Sequence, residues 1–290
     1  MTCGDIDLDG KVVVITGGGS GINLAFAKLC RLQGAKVIIG DIRLTEDGQN
    51  FVDGTSSDKA IFVECNVRKR KDLENLITTS REKFGTAPDV YIAGAGVFEP
   101  SWSNWWDDEE ENEYAEIEIN VNHALKFSRI ATRALLGENK RGAVLIVSSL
   151  AGYMGTFSAP LYCASKHAVI GFVRSMAELD RLASIKIVAV APGMVQTPLW
   201  TDHPEKMKQY GYDPETAVTA EAVAEAMIDL VKNGSYQGGA CLEVSINGTR
   251  TLGTFNIAPP KGGGTIVPQE VRDQNYAPLI AILDSERRQV

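Results

Sequence analysis

Tyr162 and Lys166 stand four residues apart in Tyr162-Cys163-Ala164-Ser165-Lys166, a spacing that puts both on one face of a helix, about 6 Å apart. An ammonium group at that distance acts on a phenol. Free tyrosine titrates near pH ~10, and an opposite charge within reach lowers such a group by roughly 1–3 units, toward useful acid/base chemistry. Tyr162 is therefore the candidate proton donor or acceptor. Ser149 closes the preceding β-branched run, where its hydroxyl can hydrogen-bond a substrate oxygen and polarise it in the transition state. Each residue alone is commonplace: a Tyr/Lys pair at this spacing arises by chance, and Ser148-Ser149 can simply cap a turn. Their weight comes from the chain that precedes them.

There, the β-branched run Lys11–Thr16 leads into Gly17-Gly18-Gly19-Ser20-Gly21-Ile22, and a helical pattern starts at once. Glycines let the backbone turn sharply and approach a pyrophosphate, whose charge then sits at the positive helix N-terminus. Gly17, Ser20, Gly21 and Ile22 are the candidate residues on that side. No Gly-Lys-Ser/Thr follows, which excludes a P-loop. Asp41 ends the next run, where an acid can accept the adenosine ribose hydroxyls and favour NAD over NADP. Two other readings stay open: Asp41 caps a turn, or Arg43 offsets the repulsion of a 2′-phosphate.

The elements that must position these groups alternate. Strand patterns at Lys11–Thr16, Lys36–Asp41, Ala60–Cys65, Asp89–Ala93, Ala143–Ser148, Ile185–Val190 and Ala240–Ser245 are separated by helical patterns. The helices are expected near Leu24–Gln33, Arg70–Phe84, Tyr114–Leu136, Leu161–Leu182 and Ala220–Val231. This predicts an α/β, Rossmann-type doubly wound fold: a seven-stranded parallel sheet with helices on both faces. Residues 1–250 are expected to form that domain, with a lid over the substrate near 194–218. Pro259-Pro260 and Gly262-Gly263-Gly264 break the pattern, so residues 251–290 read as a tail packed on the domain or on a neighbouring subunit.

The chain has 290 residues, 44% hydrophobic, which suits a folded domain and not a disordered one. A net charge of -8 argues against nucleic-acid and membrane partners. Five scattered cysteines without a CxxC pair fit free thiols, with neither disulfides nor a metal site. The N-terminus has no apolar leader pattern, and a cytoplasmic protein is expected. Asn247-Gly248-Thr249 matches a glycosylation triplet of a kind frequent by chance.

Taken together, these segments resemble the short-chain dehydrogenase/reductase family over about Asp9 to Ser245. The likeness also rests on Ala95-Gly96, Asn120 and Pro192-Gly193-Met194-Val195-Gln196-Thr197. Ser149-Leu150-Ala151-Gly152 and the Tyr162 to His167 stretch resemble its NAD-dependent 15-hydroxyprostaglandin dehydrogenase-like branch. The resemblance implies a catalytic set of Asn120, Ser149, Tyr162 and Lys166, with Asn120 holding a water that links Lys166 to solvent. It adds Ile42, Asn66, Val67, Ala93, Val195 and Thr197 to the NAD contacts, gives Lys166 and Tyr162 a share in them, and implies a homodimer or homotetramer. Two departures bear on the cofactor. Asn23 replaces the last glycine of the phosphate turn, and Ala93-Gly94 stands where the family has two asparagines that brace the sheet centre.

The remaining features read as structural. His123, His167 and His203 are scattered, and Cys163 has no paired base. The acid run Asp107 to Glu118 reads as a solvated helix start. Trp102, Trp105 and Trp106 suit a core edge, a subunit contact or a substrate entrance. Met194, Leu199, Trp200, Met207, Tyr210 and Tyr212 suggest an apolar substrate, or a lid packed inward. The expected function is hydride transfer between NAD(H) and a secondary alcohol or ketone. The alternatives are a dehydrogenase-like scaffold acting as a nonredox cyclase, isomerase or regulator, and an interaction protein using the Trp/acid segment.

Overall fold

Strands that are buried on both faces need apolar side chains at consecutive positions, and the two faces then divide them alternately. In β1 (Val12–Thr16), Val13 and Ile15 join one core while Val12 and Val14 join the other. The computed structural model describes residues 2–106, 108, 113–253 and 269–287. Its further strands are β2 (Lys36–Asp41), β3 (Ala60–Glu64), β4 (Val90–Ala93), β5 (Gly142–Val147), β6 (Ile185–Pro192), β7 (Cys241–Ser245) and β8 (Gly248–Thr251). They form one sheet in the order β3-β2-β1-β4-β5-β6-β7-β8, parallel from β1 to β7. Because β2 and β4 flank β1, the winding reverses there, and a cleft opens beyond the carboxyl ends of the strands at that point.

The helices are α1 (Gly21–Leu32), α2 (Glu46–Asp53), α3 (Arg70–Phe84), α4 (His123–Gly137), α5 (Pro160–Ser175), α6 (Glu178–Ala183), α7 (Pro198–Thr201), α8 (Pro204–Tyr210), α9 (Ala220–Lys232) and α10 (Gln269–Arg287). Phe26 of α1 and Met227 of α9 cover one face of the sheet; Leu76 of α3, Phe127 of α4 and Val173 of α5 cover the other. Among the described residues no helix is long and apolar enough to cross a membrane.

The sheet has one strand more than the seven expected. β8 pairs antiparallel with β7, and all four of its residues are exposed, so no apolar alternation announces it. The turn is Ile246-Asn247, closed by Gly248 at φ +99. Asn247-Gly248 is thus a hairpin signal. Two expected helices are also interrupted. The Tyr114–Leu136 segment begins with a π-helical turn at Ile117–Asn122 before α4. The Leu161–Leu182 segment divides into α5 and α6 where Gly238 and Gly239 press on Ala177, leaving no room for a Cβ at either glycine.

The two departures in the nucleotide half answer each other. Asn23 Nδ2 donates to Gly17 O at 3.1 Å and to Gly94 O at 3.0 Å, bridging the turns that follow β1 and β4. A Cβ on Gly94 would lie 2.4 Å from the Asn23 amide. The brace lost from β4 is therefore supplied from α1, in space that Gly94 leaves free. At the far end of the chain, Glu286 of α10 pairs with Arg129 and Arg133 of α4, and Leu283 packs on the core beneath. The Pro259-Pro260 and Gly262-Gly263-Gly264 breakers lie outside the described residues.

Gly94→Asn alone is expected to destabilise by about 1–3 kcal/mol, the usual cost of overpacking. Adding Asn23→Gly should recover most of that loss. Urea melts of the two single variants and the double variant measure the coupling, and additive effects would mean that the two positions do not compensate.

Candidate active site

The cleft above β1 and β4 has a volume of about 900 Å³ and runs from Asp41 at one end to Tyr162 and Trp200 at the other. Its floor is the glycine turn. Gly17 at φ +67 sits so close to the loop after β4 that a Cβ would lie 2.6 Å from Ala95 Cα. Gly19 N–H donates to Asp41 Oδ2 at 2.9 Å, and Ile42 N–H to Asp41 Oδ1 at 2.7 Å. Asp41 therefore does cap this turn, yet a carboxylate has about four lone-pair sites, which leaves acceptor capacity facing the cleft. Ser20, Gly21, Ile22, Ile42, Asn66, Val67, Val195 and Thr197 also line it. Ala93 does not. It ends β4 as a 2% exposed core residue, and Gly94 and Ala95 take the cleft wall instead. A backbone cradle that excludes a Cβ, beside a carboxylate at the end of β2, suits a dinucleotide.

At the inner end, α5 presents Tyr162 and Lys166 on one face, with the Lys166 ammonium 5.5 Å from the phenol ring centre. Ser149, two residues beyond β5, stands beside the Tyr162 phenol, donates to Pro192 O at 3.5 Å and accepts the Ala151 N–H at 3.2 Å. Lys166 Nζ donates to Val147 O at 2.9 Å. The expectation that Lys166 lowers the Tyr162 pKa is reversed. Burial dominates both groups, pushing the phenol up to about 12 and the ammonium down to about 8. Both shifts favour the neutral forms of the phenol and the amine.

Asn120 is buried in the π-helical turn and does not line the cleft. Its side chain accepts the Val97 N–H at 2.9 Å and donates to Val97 O and the Ser165 hydroxyl. That locks the loop after β4 to α5. Of the histidines, His123 is enclosed between Thr16 and the Ile119 carbonyl, and burial pushes it down to about 4, so it stays neutral. Cys163 is buried and accepts the Thr156 N–H. All five cysteines are free and buried.

The segment after β6 is closed at its base, where Val195 bridges to Val218 and Thr197 touches Gly21. Met194, Leu199, Trp200 and Tyr210 line the cleft, whereas Met207 and Tyr212 back them. Trp200 stacks on Tyr212 at 5.6 Å, and Phe98 meets Tyr162 edge-on at 4.8 Å. The lid aromatics are both packed inward and part of the lining. Trp102, Trp105 and Trp106 are about half exposed and do not line this cleft, but Trp106 lines a neighbouring pocket of about 320 Å³ that shares Tyr210 with it. The acid run is not wholly a solvated helix start: Glu116 is fully buried, and its carboxyl, pushed up by that burial to about 7, accepts the Glu99 N–H. Asp107 and residues 109–112 of that run lie outside the described residues. Glu99, 5% exposed, was not singled out by the sequence, since nothing local marks a lone acid as buried.

The chain is 34% identical over 245 residues to Short-chain dehydrogenase reductase 3a of Arabidopsis thaliana, covering 82% of this chain and 94% of that one. It is 28% identical over 271 residues to 15-hydroxyprostaglandin dehydrogenase [NAD(+)] of Mus musculus, covering 87% and 96% respectively. A crystal structure of a short-chain type dehydrogenase/reductase from Mycobacterium marinum superposes with a TM-score of 0.71 at 21% identity, over 82% of this chain and 95% of that one. The profile of the short chain dehydrogenase family matches residues 11–208, across the glycine turn and the Tyr162 helix, and this chain belongs to that family of oxidoreductases.

Proposed function

We propose that this protein transfers a hydride between NAD(H) and the carbinol or carbonyl carbon of an apolar secondary alcohol or ketone, with Tyr162 as the acid/base. The observation that carries this reading is the convergence of Ser149, Tyr162 and Lys166 at one end of a cleft whose other end carries the glycine turn and Asp41. The Gly17 cradle and the remaining acceptor capacity of Asp41 fit a dinucleotide. Oxidised nicotinamide, when bound, supplies a hydride acceptor and a fixed positive charge. Such a charge beside Tyr162 favours its phenolate and opposes the effect of burial. The phenolate then takes the substrate hydroxyl proton in oxidation, and the phenol returns a proton to the carbonyl oxygen in reduction. The Ser149 hydroxyl, beside the phenol, holds the substrate oxygen next to it. On this reading residues 194–218 form a lid that keeps water from the reacting carbon, and α10 is an appendage tied to α4 through Glu286. The departures at Asn23 and Ala93-Gly94 would favour the nonredox alternative, and the Asn23 brace, which ties the two turns together, supports the redox reading instead.

Tyr162→Phe is expected to reduce turnover by about 10²–10⁴-fold, the range of a positioned acid/base, while NADH binding stays within about twofold of wild type. Stopped assays with NADH titration measure both. Wild-type turnover in this variant would remove Tyr162 from the chemistry.

NAD(H) is expected to exceed NADP(H) in kcat/KM by at least about tenfold, because a 2′-phosphate would meet the Asp41 carboxylate. Asp41→Ala should narrow the difference. Equal use of the two cofactors by the wild type would give the site to Arg43.

Lipophilic secondary alcohols should outperform polyols and sugars, since Met194, Leu199 and Trp200 offer the substrate little to hydrogen-bond. Competition between the two classes decides it, and faster turnover of polyols would contradict an apolar pocket.

A further inference from the structure

Two buried carboxyl groups lie behind the first turn of α5, and the proton chemistry above makes no use of them. Glu99 sits in the loop after β4 with its backbone at φ +37, a left-handed conformation that strains a residue with a side chain. Such strain persists only where the surroundings fix it. Two contacts do so. The Glu99 N–H donates to Glu116 Oε1 at 2.9 Å, and Glu99 Oε1 accepts the Tyr162 N–H at 3.2 Å. That N–H is a first-turn donor, which has no acceptor within a helix. α5 supplies no cap of its own, because its N-cap residue is Ala159. A carboxyl from a loop 63 residues away in sequence therefore does the work of a cap at the catalytic tyrosine itself.

The arrangement is costly. The Oε2 atoms of Glu99 and Glu116 are both buried without a hydrogen-bond partner. An ordinary Ser or Asp at position 159 would satisfy the same turn without placing two acids in the interior. What the Glu99 clamp adds is a connection: it joins α5 to the loop of Phe98, whose ring packs against the Tyr162 ring, and to the lid, where Lys206 Nζ donates to Phe98 O at 2.6 Å.

We propose that Glu99 is a positioning residue for Tyr162: locked in place by Glu116, its carboxyl group holds the first turn of α5 so that the phenol meets the Ser149 hydroxyl. The proposal rests on the reading of Tyr162 as the acid/base. Glu99 touches neither reacting atom, and its effect passes through the α5 backbone. Misplacing a catalytic group by a fraction of its working distance lowers the rate of the step it serves and leaves binding of the cofactor alone.

The test compares Glu99→Ala, Glu99→Gln and Tyr162→Phe in the full chain, by steady-state kinetics with NAD and a secondary alcohol and by fluorescence titration with NADH. Glu99→Ala should lower kcat by about 10–100-fold, with KM for the alcohol and Kd for NADH within about threefold of wild type. Glu99→Gln keeps an amide oxygen that accepts the same N–H, and it should retain kcat within about threefold. If Glu99→Ala does not fold, Glu99→Asp replaces it, one methylene short of the α5 turn and with the same expected fall. The proposal is overturned if the Ala or Asp variant keeps wild-type kcat, if Gln falls as far as Ala, or if Kd for NADH rises in step with the loss. Wild-type turnover in Tyr162→Phe would instead overturn the acid/base reading on which the proposal rests.

Discussion

Everything in this cleft depends on how closely two backbone turns approach at the point where the sheet reverses its winding. The turn after β1 meets the loop after β4 with no room for a side chain: a Cβ on Gly17 would press into the Ala95 backbone. Gly17 N–H is anchored to Gly40 O at 2.8 Å, which ties the same turn to β2. Three strands thus fix one short stretch of chain. Asn23 fastens the contact from above by donating to carbonyls on both sides of it. Because the floor is rigid, the distance from the Asp41 end of the cleft to the Tyr162 end is set by the sheet and not by the side chains lining it.

The inner end is built under a different constraint, which is desolvation. Tyr162 is partly and Lys166 almost wholly shielded from water, and burial moves each toward its neutral form. Proximity to an ammonium does not make a phenol acidic when the ammonium is itself weakened. A positive charge placed beside them would tip the balance back toward the phenolate. The enclosed, neutral His123 behind the sheet end adds no competing charge. Glu116 has a carboxyl pushed up to about 7, which near neutral pH keeps much of its negative charge from opposing a phenolate nearby.

The parts of this structure that were legible in the sequence are those carried by local patterns. Seven strands follow from consecutive β-branched residues, the phosphate turn from its glycines, and the Tyr162–Lys166 face from helical spacing. β8 was missed because Gly248-Thr249-Arg250-Thr251 buries nothing, although Asn247-Gly248 marks its turn. Ala93 was placed on the cleft by its position in a motif, while the strand's own alternation turns it into the core. The Asn23–Gly94 compensation spans 71 residues and the Glu99–Tyr162 clamp spans 63, so neither has a signature within any window of chain. The sign of the Tyr162 shift was also out of reach. It depends on how much water the fold removes, which spacing does not encode.

The lid shows why packing and recognition are not alternatives here. Trp200 is nearly enclosed, held by stacking on Tyr212, by a tilted contact with Phe98 and by an edge contact with Tyr210. Rings fixed by one another present a wall that costs little entropy to keep in place, and their free edges still form the cleft surface. The same wall begins at Thr197, whose methyl group lies against Gly21 of the phosphate turn, so that any larger residue at position 21 would push the lid outward. One end of this segment therefore touches the glycine turn directly, and the other, through Lys206 and the Phe98 carbonyl, touches the loop that carries Glu99. The segment after β6 and the first turn of α5 thus share one continuous set of contacts. A substrate that displaced the Trp200 cluster would disturb the ring packing that reaches Tyr162 through Phe98, and this favours ligands that fit against the wall over those that must open it.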